Sequence, residues 1–346
     1  MIKKEEGDKN VFNIPEGRKL DCIPVGRLAI DINPLVMPQS FAECTEFGKY
    51  VGGSPANTAV GLARLGARTG FIGTITDDSL GDFCLDYFKK DGIDTNGIFR
   101  AEKNIPMAVT FTEVINGKTN LMLYRDRITA DMLLKPEDIS EDYIASSRSV
   151  IISGTALAAS PSRDAAFKIL ELARKHGLLI IFDVDYRAPI WSSNEEISIY
   201  YTLAARYAHI IIGSREEYDL MDYAYHKASS DEQTAERWFN EKAELIIIKH
   251  GAEGSMAYAK NGERYKIDIA PVNTVKSTVG GDAYSSAFVY GVLAGREVKN
   301  CLELATTHAS LAVACNSCSD AMVDIKTLEE AVAKAKSEHG ELVNKF

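Results

Sequence analysis

The stretch that decides the fold is SRDAAFKILELARKHGLLIIFDVD, residues 162–185, where a helical pattern runs directly into a buried strand. Apolar residues are spaced at i, i+3, i+4 and i+7, which places them on one face of a helix. They are Ala166, Ile169, Leu170 and Ala173. Gly177 suits the position after a helix, and the apolar run that follows it has the length of a strand. The stretch therefore predicts a helix over 162–176 and a strand over 178–185.

The same alternation continues on both sides of this stretch. Further runs of Ile, Leu and Val predict strands at 22–30, 148–154, 209–214 and 245–251. An amphipathic pattern also predicts a helix over 79–90. Near-continuous apolar strands separated by helices are typical of a parallel sheet that is covered on both faces. We therefore predict an α/β fold with three layers, αβα, around a mainly parallel central sheet.

Two segments, residues 43–50 and 107–125, have strand patterns with no helical pattern within them. The second contains Asn116-Gly117 between residues of high strand propensity, which is the strongest short-range signal for a hairpin. A small sheet with an exposed apolar face usually needs a partner. We therefore predict a small β-sheet that serves as a lid over a ligand, as a dimer surface, or as both.

The composition limits the class of protein. The 346 residues carry a net charge of −10, which argues against a general nucleic-acid binder, since such proteins need a basic surface. No apolar run approaches the ~20 residues of a membrane span, and the charged N-terminus lacks the apolar run of a signal peptide. Six scattered cysteines, with one C-x-x-C pair at 315–318, favour reduced thiols in the cytoplasm and predict no structural zinc site.

Charged residues follow three of the predicted strands at the points where they end. The strand at 178–182 leads into Asp183, Asp185 and Arg187, and those at 209–212 and 245–248 lead into GSREE and KHG. Ligands of open parallel sheets bind at the carboxyl ends of the strands. Strand ends are often polar without being functional, but charged groups after three strands together favour a binding site.

The strongest local signal is STVGGDA, residues 277–283, between an extended segment at 266–275 and a predicted helix over 283–294. Glycines before a helix let the backbone approach an anion, and the free N–H groups of the first turn point at it. Asp282 is either a helix cap or a general base beside a phosphoryl group. Neither G-x-x-x-x-G-K-[ST] nor a dinucleotide G-x-G-x-x-G motif is present.

A second glycine signal is GGSPANTA, residues 52–59, which leads into another helical pattern. Ser54 or Asn57 could simply cap this helix. Alternatively, Asn57 offers both a donor and an acceptor to the hydroxyls of a ligand. Asp31, which follows the first predicted strand, could accept two hydrogen bonds from the same ligand.

These elements, in this order, resemble the ribokinase-like carbohydrate kinases of the phosphofructokinase-B type. Residues 52–59 match the first signature of that family, and Val279-Gly280-Gly281-Asp282 matches the Gly-Ala-Gly-Asp core of the second. The resemblance is closest to the sugar-acid kinases in the segments 26–31, 49–57, 123–126, 153–157, 185–187 with Trp191, and 248–251. It implies a kinase domain over 19–335, with lid strands at about 41–52 and 105–126, between polar tails at 1–18 and 336–346.

The resemblance also implies roles for individual residues. Asp282 would be the base, and the backbone N–H groups of Val279, Gly280, Gly281 and Asp282 would stabilise the transferring phosphoryl charge. Sugar hydroxyls would be bound by Asp31, Gly53 and Asn57. The nucleotide would lie against Ser214, Lys249, Gly251 and Gly254, with magnesium organised by Glu217 through water. Ser214 departs from the usual Asn, and Val279 replaces a Gly, so we expect a shifted backbone geometry at the anion site.

Two arginines are candidates for binding a carboxylate of the substrate. Guanidinium groups bind carboxylates in a bidentate way, and Arg125 and Arg187 stand where the resembling kinases face a substrate carboxylate. Each could instead form a salt bridge with a neighbour, Asp126 or Asp185. The arginines favour a sugar acid over fructose or ribose as the substrate.

The resemblance thus implies ATP-dependent phosphorylation of a sugar-acid hydroxyl, with ATP and magnesium as cofactors. The alternatives are a 2-keto-3-deoxygluconate kinase, another kinase of the fructokinase or ribokinase type, and a sugar-acid sensor without catalysis. The resemblance leaves a requirement for a monovalent cation open. It favours a homodimer through the lid sheet and implies neither a nucleic-acid nor a membrane partner.

Overall fold

The structure is a computed structural model, and it describes residues 12–36, 39–115, 118–125, 128–225, 229–269, 272–275 and 277–346. The strands are β1 (Ile23–Val25), β2 (Ala29–Pro34), β3 (Phe47–Gly52), β4 (Gly70–Ile75), β5 (Asp94–Arg100), β6 (Val109–Ile115), β7 (Lys118–Tyr124), β8 (Ser149–Ser153), β9 (Leu179–Asp183), β10 (Ile210–Ser214), β11 (Leu245–Lys249), β12 (Ser255–Ala259), β13 (Arg264–Ile267) and β14 (Val343–Lys345). The helices are α1 (Ser54–Arg64), α2 (Ser79–Lys90), α3 (Glu141–Ala145), α4 (Ser162–Lys175), α5 (Asn194–Ala205), α6 (Arg215–Asp222), α7 (Asp231–Phe239), α8 (Gly280–Leu293), α9 (Val298–Val313) and α10 (Ile325–His339).

A ten-stranded sheet lies at the centre, in the order β14-β13-β12-β11-β10-β9-β8-β1-β4-β5. The strands from β11 to β5 are parallel to their neighbours, and β12, β13 and β14 extend the sheet with antiparallel pairs. This arrangement confirms the predicted α/β class with a mainly parallel central sheet.

Successive residues of the central strands pack against opposite helix layers, as the period of two in a strand requires. In β9, Ile180 and Phe182 belong to the apolar cluster that contains residues of α4 and α5. Leu179 and Ile181 belong to a second cluster, which contains residues of α8 and α9. Both faces of the sheet are therefore covered, which explains why its strands are apolar without alternation.

A smaller sheet of four strands has the order β3-β2-β6-β7. Strand β2 is antiparallel to β3 and parallel to β6, and β6 pairs with β7 as an antiparallel hairpin. The Asn116-Gly117 turn predicted for this hairpin lies outside the described residues. The small sheet agrees with the two predicted strand segments, and β2 is an additional member that the sequence pattern did not predict.

The first predicted strand, over 22–30, is wrong in one respect because the structure divides it between the two sheets. Strand β1 belongs to the large sheet and β2 to the small one. Gly26 lies between them with φ of 141°, a backbone conformation that L side chains rarely adopt. The chain therefore passes from one sheet to the other at Gly26 and Arg27, and Asp31 lies within β2.

Both predicted tails are shorter than expected. At the C-terminal side, α10 continues to His339, and β14 pairs with β13, with Val343 opposite Ile267. At the N-terminal side, Phe12 is buried in the cluster that contains residues of α8 and α9. In both cases a few apolar residues within a polar stretch are enough to attach the chain to the core. None of the described helices is both long and apolar enough to cross a membrane.

Candidate active site

The polar residues predicted at the strand ends lie side by side at the carboxyl edge of the parallel sheet. Ser153, Asp183, Ser214 and Lys249 are the last residues of β8, β9, β10 and β11, and the register pairs Ser153 with Asp183 and Ser214 with Lys249. The carboxylate of Asp183 accepts a hydrogen bond from Ser285 Oγ at 2.7 Å. Burial raises the pKa of Asp183 to about 7. Parallel pairing thus brings a buried charge cluster together from separate strands.

The STVGGDA segment forms one turn at 277–279 and then begins α8 at Gly280. Val279 precedes the helix with φ of −90° and ψ of −16°, an ordinary conformation for a β-branched residue. The expected conflict between Val279 and a left-handed backbone is therefore absent. The helix has no side-chain cap, so its first N–H groups are left for another acceptor.

Asp282 lies in the first turn of α8 and is only 6% exposed. It does not cap the helix, because its carboxylate accepts a hydrogen bond from Asn57 Nδ2 at 2.7 Å. Burial raises the pKa of Asp282, and the nearby charge of Asp185 raises it further, against the opposing effect of Arg187. A carboxylate with a raised pKa is a better proton acceptor at neutral pH.

Lys249 lies beside the start of α8. Its Nζ is 3.5 Å from the position that a Cβ atom on Gly281 would occupy. Burial alone would lower the pKa of Lys249, but the carboxylates of Asp183 and Glu217 raise it above its ordinary value. The ammonium group is therefore charged, next to the free N–H groups of the helix.

A cavity of about 310 Å³ opens on the outer side of this turn. Three of the predicted nucleotide residues line it, namely Lys249, Gly251 and Gly254. Gly280 and Gly281 form the end nearest the helix, and the other walls come from Ala252, Ser255, Ile269, Val272, Thr274, Tyr284, Thr306, Ala309, Ser310 and Val313. Gly254 has φ of 88°, and a Cβ there would come within 2.0 Å of the Ile267 carbonyl oxygen. This position therefore requires glycine.

Ser214 and Glu217 do not line that cavity. They form a reciprocal cap at the start of α6, in which Glu217 N donates to Ser214 Oγ and Ser214 N donates to Glu217 Oε2. Glu217 Oε1 accepts a third bond, from Tyr186 N at 2.7 Å. Within the described residues, no group of three or more His, Cys, Asp and Glu side chains is placed to hold a metal.

A second pocket lies between the two sheets, and Asp282 forms part of its wall. Its wall is formed by Arg27, Asp31, Gly53, Ser54, Asn57, Thr110, Leu121, Arg187, Thr278, Asp282 and Cys318. Thr110 and Leu121 come from β6 and β7 of the small sheet. The structure thus brings together Asp31, Gly53, Asn57, Arg187 and Asp282 as predicted.

Several buried polar atoms in this pocket wall have no hydrogen-bond partner. They are Arg27 Nε and Nη1, Asn57 Oδ1, Thr110 Oγ1 and Thr278 Oγ1. Buried polar groups are almost always satisfied in folded proteins. Unsatisfied atoms of four residues around one pocket therefore point to a ligand with many hydroxyl or other polar groups.

The two predicted substrate arginines differ in position. Arg187 lines the pocket and pairs with Asp185 at 2.9 Å, the salt bridge considered as the alternative from the sequence. Arg125 is not part of the pocket wall. It pairs instead with Asp131 at 2.6 Å and donates to the Thr155 carbonyl oxygen at 3.0 Å, which leaves one nitrogen, Nη1, without a partner.

Arg27 is the charged residue of the pocket wall to which the sequence analysis gave no role. It follows Gly26 in the short connection between β1 and β2, and it is 6% exposed. The available signal was an arginine inside the apolar run IPVGRLAI, residues 23–30. An arginine buried among apolar neighbours requires a partner.

A buried carboxylate beside a helix N-terminus, between a glycine-lined cavity and a polar pocket, is the arrangement of a phosphotransferase that acts on a hydroxyl. The comparisons with known proteins agree with this geometry. Residues 19–325 match the model of the pfkB family of carbohydrate kinases, and the chain belongs to that family. This confirms the predicted family and the predicted enzyme class, a sugar kinase.

Among the relatives, a 5-dehydro-2-deoxygluconokinase from Clostridium perfringens is 48% identical over 329 residues, which cover 95% of this chain and 97% of that protein. An enzyme of the same name from Clostridium tetani is 46% identical over 336 residues, covering 96% and 99%. The structure is similar to that of a fructokinase with bound ATP from Xylella fastidiosa, with a TM-score of 0.79, 21% identity, and coverage of 91% and 98%. This likeness confirms the ribokinase-like fold.

Proposed function

We propose that this kinase transfers the terminal phosphoryl group of ATP to a hydroxyl of 5-dehydro-2-deoxy-D-gluconate and forms its 6-phosphate. The named relatives at 43–48% identity support this substrate. By the same resemblance, the reaction would belong to the breakdown of myo-inositol. The alternatives, 2-keto-3-deoxygluconate and neutral sugars such as fructose and ribose, are then poorer substrates.

The observation that carries the proposal is that the start of α8 adjoins two different compartments, since Gly280 and Gly281 line the cavity and Thr278 and Asp282 line the pocket. The cavity lined by Gly251, Gly254 and Gly281 suits a nucleotide, because it is mostly apolar and has backbone N–H groups at one end. The pocket on the other side is polar and holds the unsatisfied atoms described above. A phosphoryl group passing from one to the other would cross the start of α8.

In the proposed mechanism, Asp282 removes the proton from the attacking hydroxyl as the phosphoryl group is transferred. Asn57 holds the carboxylate in place through its 2.7 Å hydrogen bond. The N–H groups of residues 279–282 and the ammonium of Lys249 stabilise the charge that spreads over the phosphoryl oxygens. The raised pKa of Asp282 improves proton transfer at neutral pH.

The residues present fit a magnesium ion that is held mainly by phosphates and water. Magnesium usually retains several waters and takes only one or two carboxylates from the protein. Each oxygen of Glu217 accepts one backbone hydrogen bond, so each keeps a lone pair for a water molecule. When bound, the ion would neutralise phosphate charge, with Glu217 orienting its waters and Ser214 fixing the carboxylate.

A coupled assay of ADP release tests the proposal. Purified protein is supplied with ATP and magnesium, and with 5-dehydro-2-deoxygluconate, 2-keto-3-deoxygluconate, fructose or ribose, in potassium and in sodium buffers. We expect the highest kcat/KM for 5-dehydro-2-deoxygluconate. A higher value for another sugar would reassign the substrate, and binding of the acid without ADP release would indicate a sensor. The buffer comparison tests the monovalent-cation requirement.

We further propose that the small sheet forms a homodimer interface. Its outward face carries an aromatic cluster in which Phe111 contacts both Phe41 and Tyr124, with ring centroids 5.4 and 5.6 Å apart. Tyr124 is 57% exposed and Ile115 is 43% exposed. An apolar patch of this kind on a soluble protein is typical of an interaction surface.

Sedimentation velocity tests the dimer. The wild-type protein should sediment at twice the mass of the chain, and Tyr124→Asp should shift it toward the monomer. Ile199→Asp, which changes a residue 52% exposed on α5 outside the small sheet, is the matched control. A monomeric wild type, or equal effects of both variants, would contradict this interface.

A further inference from the structure

Arg27 is the one pocket residue that combines deep burial, a full charge and missing partners. Its side chain is 6% exposed, and neither Nε nor Nη1 has a hydrogen-bond partner. Within the described part of the chain it forms no ion pair. A buried charge without a partner costs several kcal/mol. Such a residue is retained in a binding pocket when the ligand supplies the missing partner.

The other arginines near the pocket are already neutralised by the protein. Arg187 pairs with Asp185 at 2.9 Å, and Arg125 pairs with Asp131 at 2.6 Å and contacts a backbone carbonyl. Arg125 is also outside the pocket wall, whereas Arg27 is in it. A ligand carboxylate that entered the pocket would therefore find its free cationic partner at Arg27.

The charges around Arg27 explain why it favours an anion. Burial lowers the pKa of Arg27, and the positive charge of Arg125 lowers it further, while Asp131 and Asp31 only partly offset these effects. A bound carboxylate would relieve this repulsion and satisfy the free N–H groups. Guanidinium and carboxylate groups also match in shape, since both are planar forks.

Arg27 and Asp282 line the same pocket, so one ligand can contact both residues. A chain-like sugar acid bound with its carboxylate at Arg27 would extend its other end toward Asp282. This orientation suits phosphorylation of a hydroxyl far from the carboxylate.

We propose that Arg27 is the residue that recognises the substrate carboxylate and so selects sugar acids over neutral sugars. This inference rests on the proposed function, because it assigns a role within the same pocket. It also revises the sequence-based expectation, which gave this role to Arg125 and Arg187. Arg187 would then orient Asp185 and the sugar hydroxyls near the base.

The test compares a sugar acid with a matched neutral analogue. Wild type, Arg27→Met, Arg27→Lys and a control, Arg206→Met, are assayed with 5-dehydro-2-deoxygluconate and with the analogue in which a primary alcohol replaces the carboxylate. Arg206 lies on the surface and pairs with Glu241, away from the pocket. Calorimetric titration of both ligands, and thermal unfolding of every variant, accompany the kinetics.

We expect Arg27→Met to raise KM for the acid by about 100-fold, with a much smaller change in kcat and little change for the neutral analogue. Arg27→Lys, which keeps the charge but loses the fork, should fall between wild type and Arg27→Met. Arg206→Met should behave as wild type. Because Arg27→Lys preserves the buried charge, it tests the inference even if Arg27→Met is unstable.

The outcomes separate this inference from the proposed function. Equal losses for acid and neutral ligand in the Arg27 variants, or no loss for the acid, would overturn the role of Arg27 while leaving the substrate in place. A wild type that prefers the neutral analogue would overturn the proposed sugar-acid substrate and this inference together. If wild type turns over neither compound, the titrations still decide whether Arg27 binds the carboxylate.

Discussion

At the scale of single residues, Asp282 decides whether the protein is an enzyme or a sensor. Asp282→Asn keeps the size of the side chain and can still bond to Asn57, but it cannot accept a proton. General-base catalysis contributes roughly 10²–10⁴-fold, so kcat should fall by about that factor. Calorimetry should show that the sugar acid still binds with an affinity within a few fold of wild type.

A sugar-acid sensor would give a different result. The wild-type protein would then release no ADP, and Asp282→Asn would change at most the affinity for the sugar acid. Asn57→Ala provides a second check on the same pair, because it removes the 2.7 Å hydrogen bond that holds the carboxylate. It should lower kcat by less than Asp282→Asn does.

The pH dependence of kcat should report the environment of Asp282. Burial and the charge of Asp185 raise the pKa of Asp282, and the base must be ionised to act. Activity should therefore fall as the pH drops through this raised pKa. Asp185→Asn removes the neighbouring negative charge and so lowers the pKa of Asp282. In this variant the fall of kcat at acidic pH should therefore occur at a pH lower by about one unit. If kcat of Asp185→Asn falls at the same pH as kcat of the wild type, the two carboxyl groups are not coupled.

The site residues could be predicted from sequence where a local motif holds them. Gly280, Gly281 and Asp282 belong to one turn, and Lys249 and Asp183 follow recognisable strands. The partners of the arginines could not be predicted, because Arg125 pairs with Asp131 and donates to Thr155 only once three separate segments meet. Arg27 was missed for the same reason, since its lack of a partner is a property of the folded pocket.

At the scale of secondary-structure elements, the hairpin of β6 and β7 is proposed to act as a lid. Thr110 and Leu121 reach the pocket from this hairpin, so the sheet can exclude water from the reacting phosphoryl group. Leu121→Ala should open the wall and raise ATP hydrolysis several-fold relative to sugar phosphorylation. The measurement is the ratio of ADP to sugar phosphate formed.

Asn120→Ala is the matched control for this prediction. Asn120 is next to Leu121 but lies on the opposite face of β7, where it bonds to Glu113. It should leave the ratio near the wild-type value. If Leu121→Ala also leaves the ratio unchanged, the hairpin does not protect the phosphoryl group from water.

The division of the first predicted strand into β1 and β2 shows a limit of pattern reading at this scale. Residues 22–30 are almost all apolar, and an apolar run does not say which sheet it joins. The break depends on Gly26, whose φ of 141° turns the chain. The helices α2 and α4, in contrast, match their predicted bounds to within one residue, because their apolar spacing and end residues define them locally.

At the scale of the whole molecule, buried histidines should make the stability depend on pH. His308 is fully buried, with Nδ1 bonded to the Ala283 carbonyl oxygen and Nε2 accepting from Val323 N. Burial lowers the pKa of His308 to about 4, from an ordinary value of 6.5. The unfolded chain therefore binds a proton first as the pH falls, which favours unfolding.

Stability should accordingly be highest above pH 6.5, decline as the pH falls toward 4, and lose up to about 3 kcal/mol through His308. Urea unfolding at a series of pH values measures this decline. His308→Asn should be less stable at pH 7 but show a shallower decline between pH 6.5 and 4. An equally steep decline in that variant would assign the effect to other groups, such as His209, whose pKa is also lowered to about 4.

Helix α8 has a consequence for the design of inhibitors. From Asp282 to Leu293 every residue of this helix is buried, so it cannot shift without disrupting the packing around it. A compound that contacts only the start of this helix, at Gly280 and Gly281, would meet a surface that this packing holds in place. It would bind equally well with the proposed lid open or closed, whereas a compound that also reaches Thr110 or Leu121 would select one of the two positions.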